Sequence, residues 1–467
     1  MLRPAYSLTP RPAPAAAAPA PAVRRHGGQA WVVANICFIA LMLAVLIGVA
    51  PFQEWVMEGE TGKGDLLNQV LHLGIVVILF FASGTVMTRR QLLPLPFSFV
   101  LLFGLCAVSI LWSIDPLISA RRLALTVLVC WVIFRCVGEL GYARTLLIVR
   151  YSLIALTVIN FLTVFYTDYG VHPEVLGEDS SVVGNWRGIL PHKNIAGATC
   201  AFTVLFLMFD LKQVPRLLAW ATIAASCIFL YFTQSRTSAG VLVFALLCGW
   251  MIRPYSANYR TVLGIVMLIC AAVAVQVASG YSDVIRNYLN DPTSLTGRAA
   301  IWPLLLEYAA DHPWTGAGFG GFWQIGENSP IWLLTDSWVA HFAGHGHNGY
   351  LDLLVTIGIP GLVLAVLVMI LWPIARLLLS LSISKASRSL LLSVVIFCTV
   401  HNLSESSLLN GSAAVQVILV IAVALIYYQS NNSAGAHHLL RSRTLRAIGR
   451  RPFGRPPAGA RPTAARG

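Results

Sequence analysis

The chain has 467 residues, of which 57% are hydrophobic and only 11% charged, and its mean hydropathy is +0.73. That is far too apolar for an ordinary soluble domain. The net charge of +13 does not point to nucleic acid, because the basic residues sit in alternate loops between apolar runs, the distribution that sets membrane orientation.

In chain order, residues 1–29 contain "PRPAPAAAAPAPAVRR", too rich in proline and alanine to build a core and read as a disordered cytoplasmic tail. The apolar run that follows exceeds a signal-peptide core of about 7–15 residues, so it reads as an uncleaved first helix. Crossing a hydrocarbon core takes roughly 20 helical residues, and runs of that kind recur near 30–50, 67–87, 96–112, 122–138, 146–166, 194–211, 217–234, 237–252, 261–279, 348–373, 389–404 and 411–429. The expected fold is therefore all-α, a polytopic membrane bundle of about twelve helices over residues 30–429. Lys and Arg gather in the loops that share a side with both ends, and acids in the others, which predicts both termini in the cytoplasm. The nine cysteines fall inside the runs, with no disulfide framework and no CxxC metal site. Residues 430–467, with "LLRSRTLRAIGRRPFGRPP", read as a basic cytoplasmic tail drawn to anionic headgroups.

Two outward-facing loops are long, 167–193 and 280–346. Polar groups concentrate at this rim in "GILPHKNIAGA", "TQSRTSAGV", "LTGRAAIWPLLLEYAADHPWTGAGFGGFW" and "GHGHNGYLDLL". Helices starting after His192, Arg236 and His347 would aim their N-termini at one surface, and helix N-termini favour anions. "LTGRAAIWPLLLEYAADHP" predicts a short surface helix, with Thr296 as its cap, His312-Pro313 as its stop, and Ile301, Leu304, Leu305 and Tyr308 on one face.

Together with "WSIDPLISARR" (112–122) and "NLSESSLL" (402–409), these stretches in this order resemble the O-antigen ligase and polysaccharide polymerase superfamily, closest to its exopolysaccharide-production branch. The resemblance covers roughly residues 65–430. It implies a glycosyltransferase of the bacterial inner membrane with a periplasmic active site, moving a glycan from polyprenyl diphosphate to an acceptor hydroxyl without metal or other cofactor. The acceptor glycan and membrane lipids would be partners, along with a chain-length regulator and a flippase. Residue by residue it places catalytic roles on Arg236, Arg298 and His347. The pattern departs at Thr237, where a glycine is frequent, and "GHGHN" adds His345 as a rival for the base.

The residue chemistry agrees. Guanidinium forks bind phosphate oxygens bidentately and keep their charge, which suits Arg236 and Arg298, aided by Lys193, for a departing diphosphate. Histidine titrates near pH 6.5, which suits His347 as the base. Asn348 or Asp352, one turn on, could orient it. Other residues stay open at this point. His192, Lys193 and Asn194 read equally as a capped helix start and as substrate contacts. Arg122, with Arg121, reads as a headgroup anchor, a partner of Asp115 or a diphosphate ligand. Glu405 reads as an acceptor-sugar contact or a loop turn. His341, His345 and His347 have a spacing that can hold metal, but no neighbouring carboxylate or cysteine completes a set. Polymerase, ligase moving finished polymer to lipid A-core, and protein glycosyltransferase share these residues and differ in acceptor. A lipid-linked oligosaccharide flippase would need polar groups along a path through the bilayer, whereas here His72, Asn160 and Arg135 are the few mid-span exceptions.

Overall fold

The computed structural model describes residues 28–48, 51–52, 66–82, 92–174, 182–259, 298–448 and five positions between 261 and 276. Apart from one antiparallel bridge between Val171 and Trp186, its regular structure among the described residues is helical. The helices are α1 (Gln29–Leu46), α2 (Leu66–Ala82), α3 (Phe97–Ser109), α4 (Pro116–Tyr166), α5 (Lys193–Met208), α6 (Arg216–Thr233) and α7 (Arg236–Met251). After the undescribed stretch come α8 (Arg298–Asp311), the short α9 (Ile331–Leu334) and α10 (Trp338–Phe342), α11 (Gly349–Leu379, with a π turn over Leu367–Leu371), α12 (Lys385–His401) and α13 (Ala414–Ile448).

Five of these are long and apolar enough to span a bilayer: α1, α4, α6, α11 and the Ala414–Asn431 part of α13. Shorter apolar helices occupy α2, α3, α5 and α7. The chain is thus a helical multi-pass membrane protein. Two expected spans, 122–138 and 146–166, appear as the single 51-residue segment α4. Two helices meet at a kink within it, because Gly141 breaks the helix at φ 71°, ψ 173°, a conformation glycine reaches without a Cβ clash. The last helix, α13, continues past its apolar part, Ala414–Asn431, and runs on to Ile448. Most of the expected 261–279 span, Thr296, the start of the second long loop, nearly all of the N-terminal tail and residues 449–467 lie outside the described residues. None of the described cysteines is disulfide-bonded.

Small residues let the helices approach closely, as in other membrane bundles. A Cβ on Gly197 of α5 would meet Ser235 Cβ at 2.6 Å, and one on Gly249 of α7 would meet Ser393 Oγ of α12 at 2.0 Å. At one end of the bundle, buried arginines collect backbone carbonyls. Arg150, 1% exposed, donates to the carbonyls of Phe206, Phe209 and Asp210 at 2.9, 3.1 and 2.8 Å. Arg388 does the same for Leu377, Ser380 and Ile383. These carbonyls are the orphan acceptors of helix ends.

The opposite end carries a second, smaller core. Ile301, Leu305 and Ala309 of α8 are buried there against Phe322, Trp323, Ile331, Val339 and Val355, with Leu304 and Tyr308 packed at its margin. The helical spacing read from the sequence thus faces a protein core. The segment "WTGAGFGGFW" passes between α3 and a break in α11 at Gly358 (φ 66°, ψ −174°). Ala317 N–H donates to the Val355 carbonyl at 2.8 Å and Ile359 N–H to that of Pro313 at 2.8 Å. Gly318 (φ 87°) is required there, since its Cβ would lie 2.6 Å from Ser113 Cβ.

Candidate active site

The site is built where α5, α7, α8 and α11 begin and α12 ends. At the start of α11, Asn348 caps its own helix, its side-chain oxygen accepting from Tyr350 and Leu351 N–H at 3.1 and 3.2 Å. Just before it, His347 holds φ 49°, in the left-handed region that non-glycine residues occupy only uncommonly, although histidine is among the types enriched there. Staples on both sides fix it. Gly346 N–H donates to both carboxylate oxygens of Asp352 at 3.0 and 3.2 Å. Asn348 N–H donates to Ser406 Oγ at 3.0 Å, and Gly349 N–H to the carbonyls of Asn402 and Glu405 at 2.9 and 3.1 Å.

The "NLSESSLL" turn is folded by Asn402, whose side-chain oxygen accepts from Ser407 N–H, Ser407 Oγ and Leu408 N–H at 2.9, 3.0 and 3.1 Å. This turn presents Glu405 to three partners. Glu405 Oε1 accepts from Arg298 Nη2 at 2.7 Å and from Asn194 Nδ2 at 2.7 Å. Its Oε2 lies 3.6 Å from His347 Nδ1. Burial opposes ionisation of Glu405, but the neighbouring His347 and the charge of Arg298 outweigh it and hold the carboxyl down at about 2. Glu405 and Arg298 side chains are each 13% exposed, and His347 is 35% exposed, so the imidazole is the member of the set open to an incoming molecule.

The neighbouring histidines act as acceptors for main-chain N–H groups. His345 Nδ1 accepts from His347 N–H at 3.2 Å, His192 Nδ1 from Asn194 N–H at 3.1 Å, and His172 Nε2 from Lys193 N–H at 3.0 Å. Each geometry needs a bare ring nitrogen, hence a neutral ring. Burial lowers His345 to about 3, His192 to about 4 and His172 to about 3, with positive neighbours adding to the effect. His345 and His347 rings pack edge to face at 4.1 Å.

Several expected residues converge here and others take different posts. Arg298, Asn194, His345, His347 and Glu405 form one cluster. His192 is the N-cap of α5, the capping alternative left open above. Arg236 occupies the exposed first turn of α7, a helix pinned to the cluster's surroundings through Ser235, Ser238 and His401 Nε2 (3.0 and 3.4 Å). Two expectations need correction. Arg122 donates to the carbonyls of Gly320, Trp323 (2.8 Å) and Gln324 (3.1 Å), so it gathers the glycine-rich loop. Neither Asn348 nor Asp352 stands behind the imidazole: Asn348 caps α11, and Asp352 accepts from Trp323 Nε1 at 2.8 Å and from Gly346. Glu405 faces His347 instead. Asn402, Ser406 and Trp323 carry the site's architecture without having been singled out, although an Asn inside a polar break is a known signal for side-chain turn formation. Among the described residues, no three His, Cys, Asp or Glu side chains converge as a metal set.

Residues 221–366 match the model of the O-antigen ligase family. The chain is also similar to the exopolysaccharide production protein ExoQ of Rhizobium meliloti (strain 1021), 31% identical over 157 residues, which cover 32% of this chain and 35% of that protein. Over about a third of its length the chain is similar to the O-antigen ligase family and to ExoQ. The family match spans Arg236, Arg298 and His347, whereas His192, Asn194 and Glu405 lie outside it. The segment similar to the family therefore holds the arginine pair and the histidine, and flanking helices of this chain supply their polar surroundings.

Proposed function

We propose that this protein is a glycosyltransferase that takes a glycan from a polyprenyl-diphosphate carrier at the periplasmic face of the bacterial inner membrane and joins it to a sugar hydroxyl, polymerising exopolysaccharide or O-antigen repeat units. The observation that carries this reading is the set of Arg298, Glu405 and the accessible His347 in contact at one end of a membrane bundle. Buried arginines at the other end match the cytoplasmic side expected from the positive-inside rule.

In the mechanism, His347 accepts the proton of the acceptor hydroxyl as its oxygen forms the new bond to the anomeric carbon. The bond from that carbon to the phosphate oxygen breaks, and the electron pair leaves with the diphosphate. Attack from the opposite side inverts the anomeric configuration. Glu405 faces the Nδ1 side of the ring, so an ionised carboxylate there stabilises the imidazolium as it forms. The 3.6 Å separation suits a contact that tightens once substrate is bound. Arg298 and Arg236, with Lys193, stabilise the departing diphosphate by charge, so the step is proposed to need no metal. Of the two rival bases, His347 is favoured, because His345 has its Nδ1 committed to a main-chain N–H.

A ligase transferring finished polymer to lipid A-core is the second reading, favoured by the description of the matched family. Both are tested by the glycan lengths on polyprenyl diphosphate in a deletion strain carrying the intact gene or His347→Ala. For a polymerase, the variant accumulates single repeat units. For a ligase, it accumulates long unattached chains. Wild-type products from the variant would remove the proposed chemistry.

A further inference from the structure

Beside the cluster lies a cavity of about 460 Å³. Its walls come from five parts of the fold: α2, the start of α4, the glycine-rich loop, the start of α11 and the turn that follows Glu405. Gln69, Arg121, Trp323, Gln324, Asn410 and Ser412 line it, and it reaches His345 and Asp352 at its inner edge. Its volume falls in the range of roughly 300–1,000 Å³ typical of small-molecule sites.

The lining has a distinct chemistry. Side-chain amides and hydroxyls supply donors and acceptors, and the Trp323 indole and Phe319 supply apolar faces. A diphosphate would meet the Asp352 carboxylate, which also faces the cavity, and the Arg122 guanidinium there is engaged by three carbonyls. A pyranose fits both features, since it carries several hydroxyls and an apolar ring face. The residues proposed to hold the diphosphate do not line this space. The cavity nonetheless reaches His345, whose ring packs against that of His347 at 4.1 Å, so a sugar seated there lies one residue from the proposed base. Gln69, Arg121, Asn410 and Ser412 all lie outside the stretch that matches the family model.

We infer that this cavity is the acceptor subsite, seating the sugar whose hydroxyl is glycosylated and setting which sugar is accepted. The inference rests on the glycosyltransferase reading above. The test uses the full-length protein in lipid nanodiscs, with Gln69→Trp to fill the cavity and Gln69→Leu to remove the amide without filling it. The probe is the host's own repeat-unit oligosaccharide, released from its carrier lipid.

Calorimetric titration with that oligosaccharide needs no turnover. Wild type should bind it, Gln69→Trp should bind at least about tenfold more weakly, and Gln69→Leu should fall between. In transfer assays the variants should raise KM for the acceptor by a similar factor and leave KM for the lipid-linked donor unchanged. Equal binding by all three proteins, no binding by wild type, or an effect confined to the donor KM overturns the assignment. A wild type that binds the oligosaccharide but transfers nothing keeps the subsite and removes the glycosyltransferase reading. Thermal melting of each variant separates a misfolded protein from an occupied cavity, and a Gln69→Leu variant that is folded but binds like wild type also overturns the role of the amide.

Discussion

Glu405 joins Arg298 through one carboxylate oxygen at 2.7 Å and faces His347 Nδ1 with the other at 3.6 Å. The two groups proposed for opposite tasks, holding a leaving anion and taking a proton, therefore share one anionic neighbour. Glu405→Gln keeps the shape and removes the charge. It should lower kcat by about tenfold or more, since the imidazolium that forms loses its neighbouring anion, with a smaller change in donor KM. Glu405→Asp should recover part of the rate. Steady-state kinetics of the purified variants check this, and an unchanged kcat in Glu405→Gln would show that the carboxylate serves only the fold.

Acid should destabilise the site before carboxylates titrate. The folded-state values of His345, His192 and His172 lie at about 3, 4 and 3, below the value of about 6.5 expected when unfolded. The unfolded chain binds those protons first, so stability is full above about pH 6.5 and falls as pH drops toward 4. Glu405, held at about 2, contributes stability that stays intact down to about pH 4.5 and is lost only below it. Melting temperature measured from pH 7.5 to 4.5 should decline, and His345→Gln should decline less steeply than wild type.

Arg122 fixes the glycine-rich loop through carbonyls of Gly320, Trp323 and Gln324. Arg122→Ala leaves those acceptors without their charged donor, a loss of about 1–3 kcal/mol in stability. Arg122→Lys should restore only part of it, because an ammonium lacks the planar fork. Limited proteolysis within residues 314–324 should quicken in Arg122→Ala, at unchanged cutting elsewhere.

Arg150 separates architecture from chemistry, since it is buried at the far end of the bundle and donates to three carbonyls closing α5. Arg150→Met should lower stability by roughly 1–3 kcal/mol per abandoned acceptor. Transfer per folded molecule should stay near wild type. A thermal melt read beside activity normalised to folded protein checks both halves.

The bundle's helices were legible from apolar length alone, and so was the rim where Arg298 and His347 meet. The helical spacing of Ile301, Leu305 and Tyr308 was legible too. What eluded the sequence depended on contacts between residues far apart in the chain. Arg122 lies about 200 residues from the carbonyls it collects, and composition cannot tell such an arginine from a headgroup anchor. Glu405 stands 58 positions beyond His347, so the neighbour on the sequence, Asp352, looked the better orienter.

The left-handed backbone of His347 bears on how the protein fails when heated. Such a conformation is disfavoured by about 1–2 kcal/mol in a residue other than glycine, and it persists only while Asp352, Ser406, Asn402 and Glu405 clasp the main chain around it. Once the 402–408 turn lets go, the residue relaxes to an extended shape and its ring leaves Glu405, although every transmembrane helix is still in place. Inactivation should therefore precede melting, as a local event with its own lower midpoint.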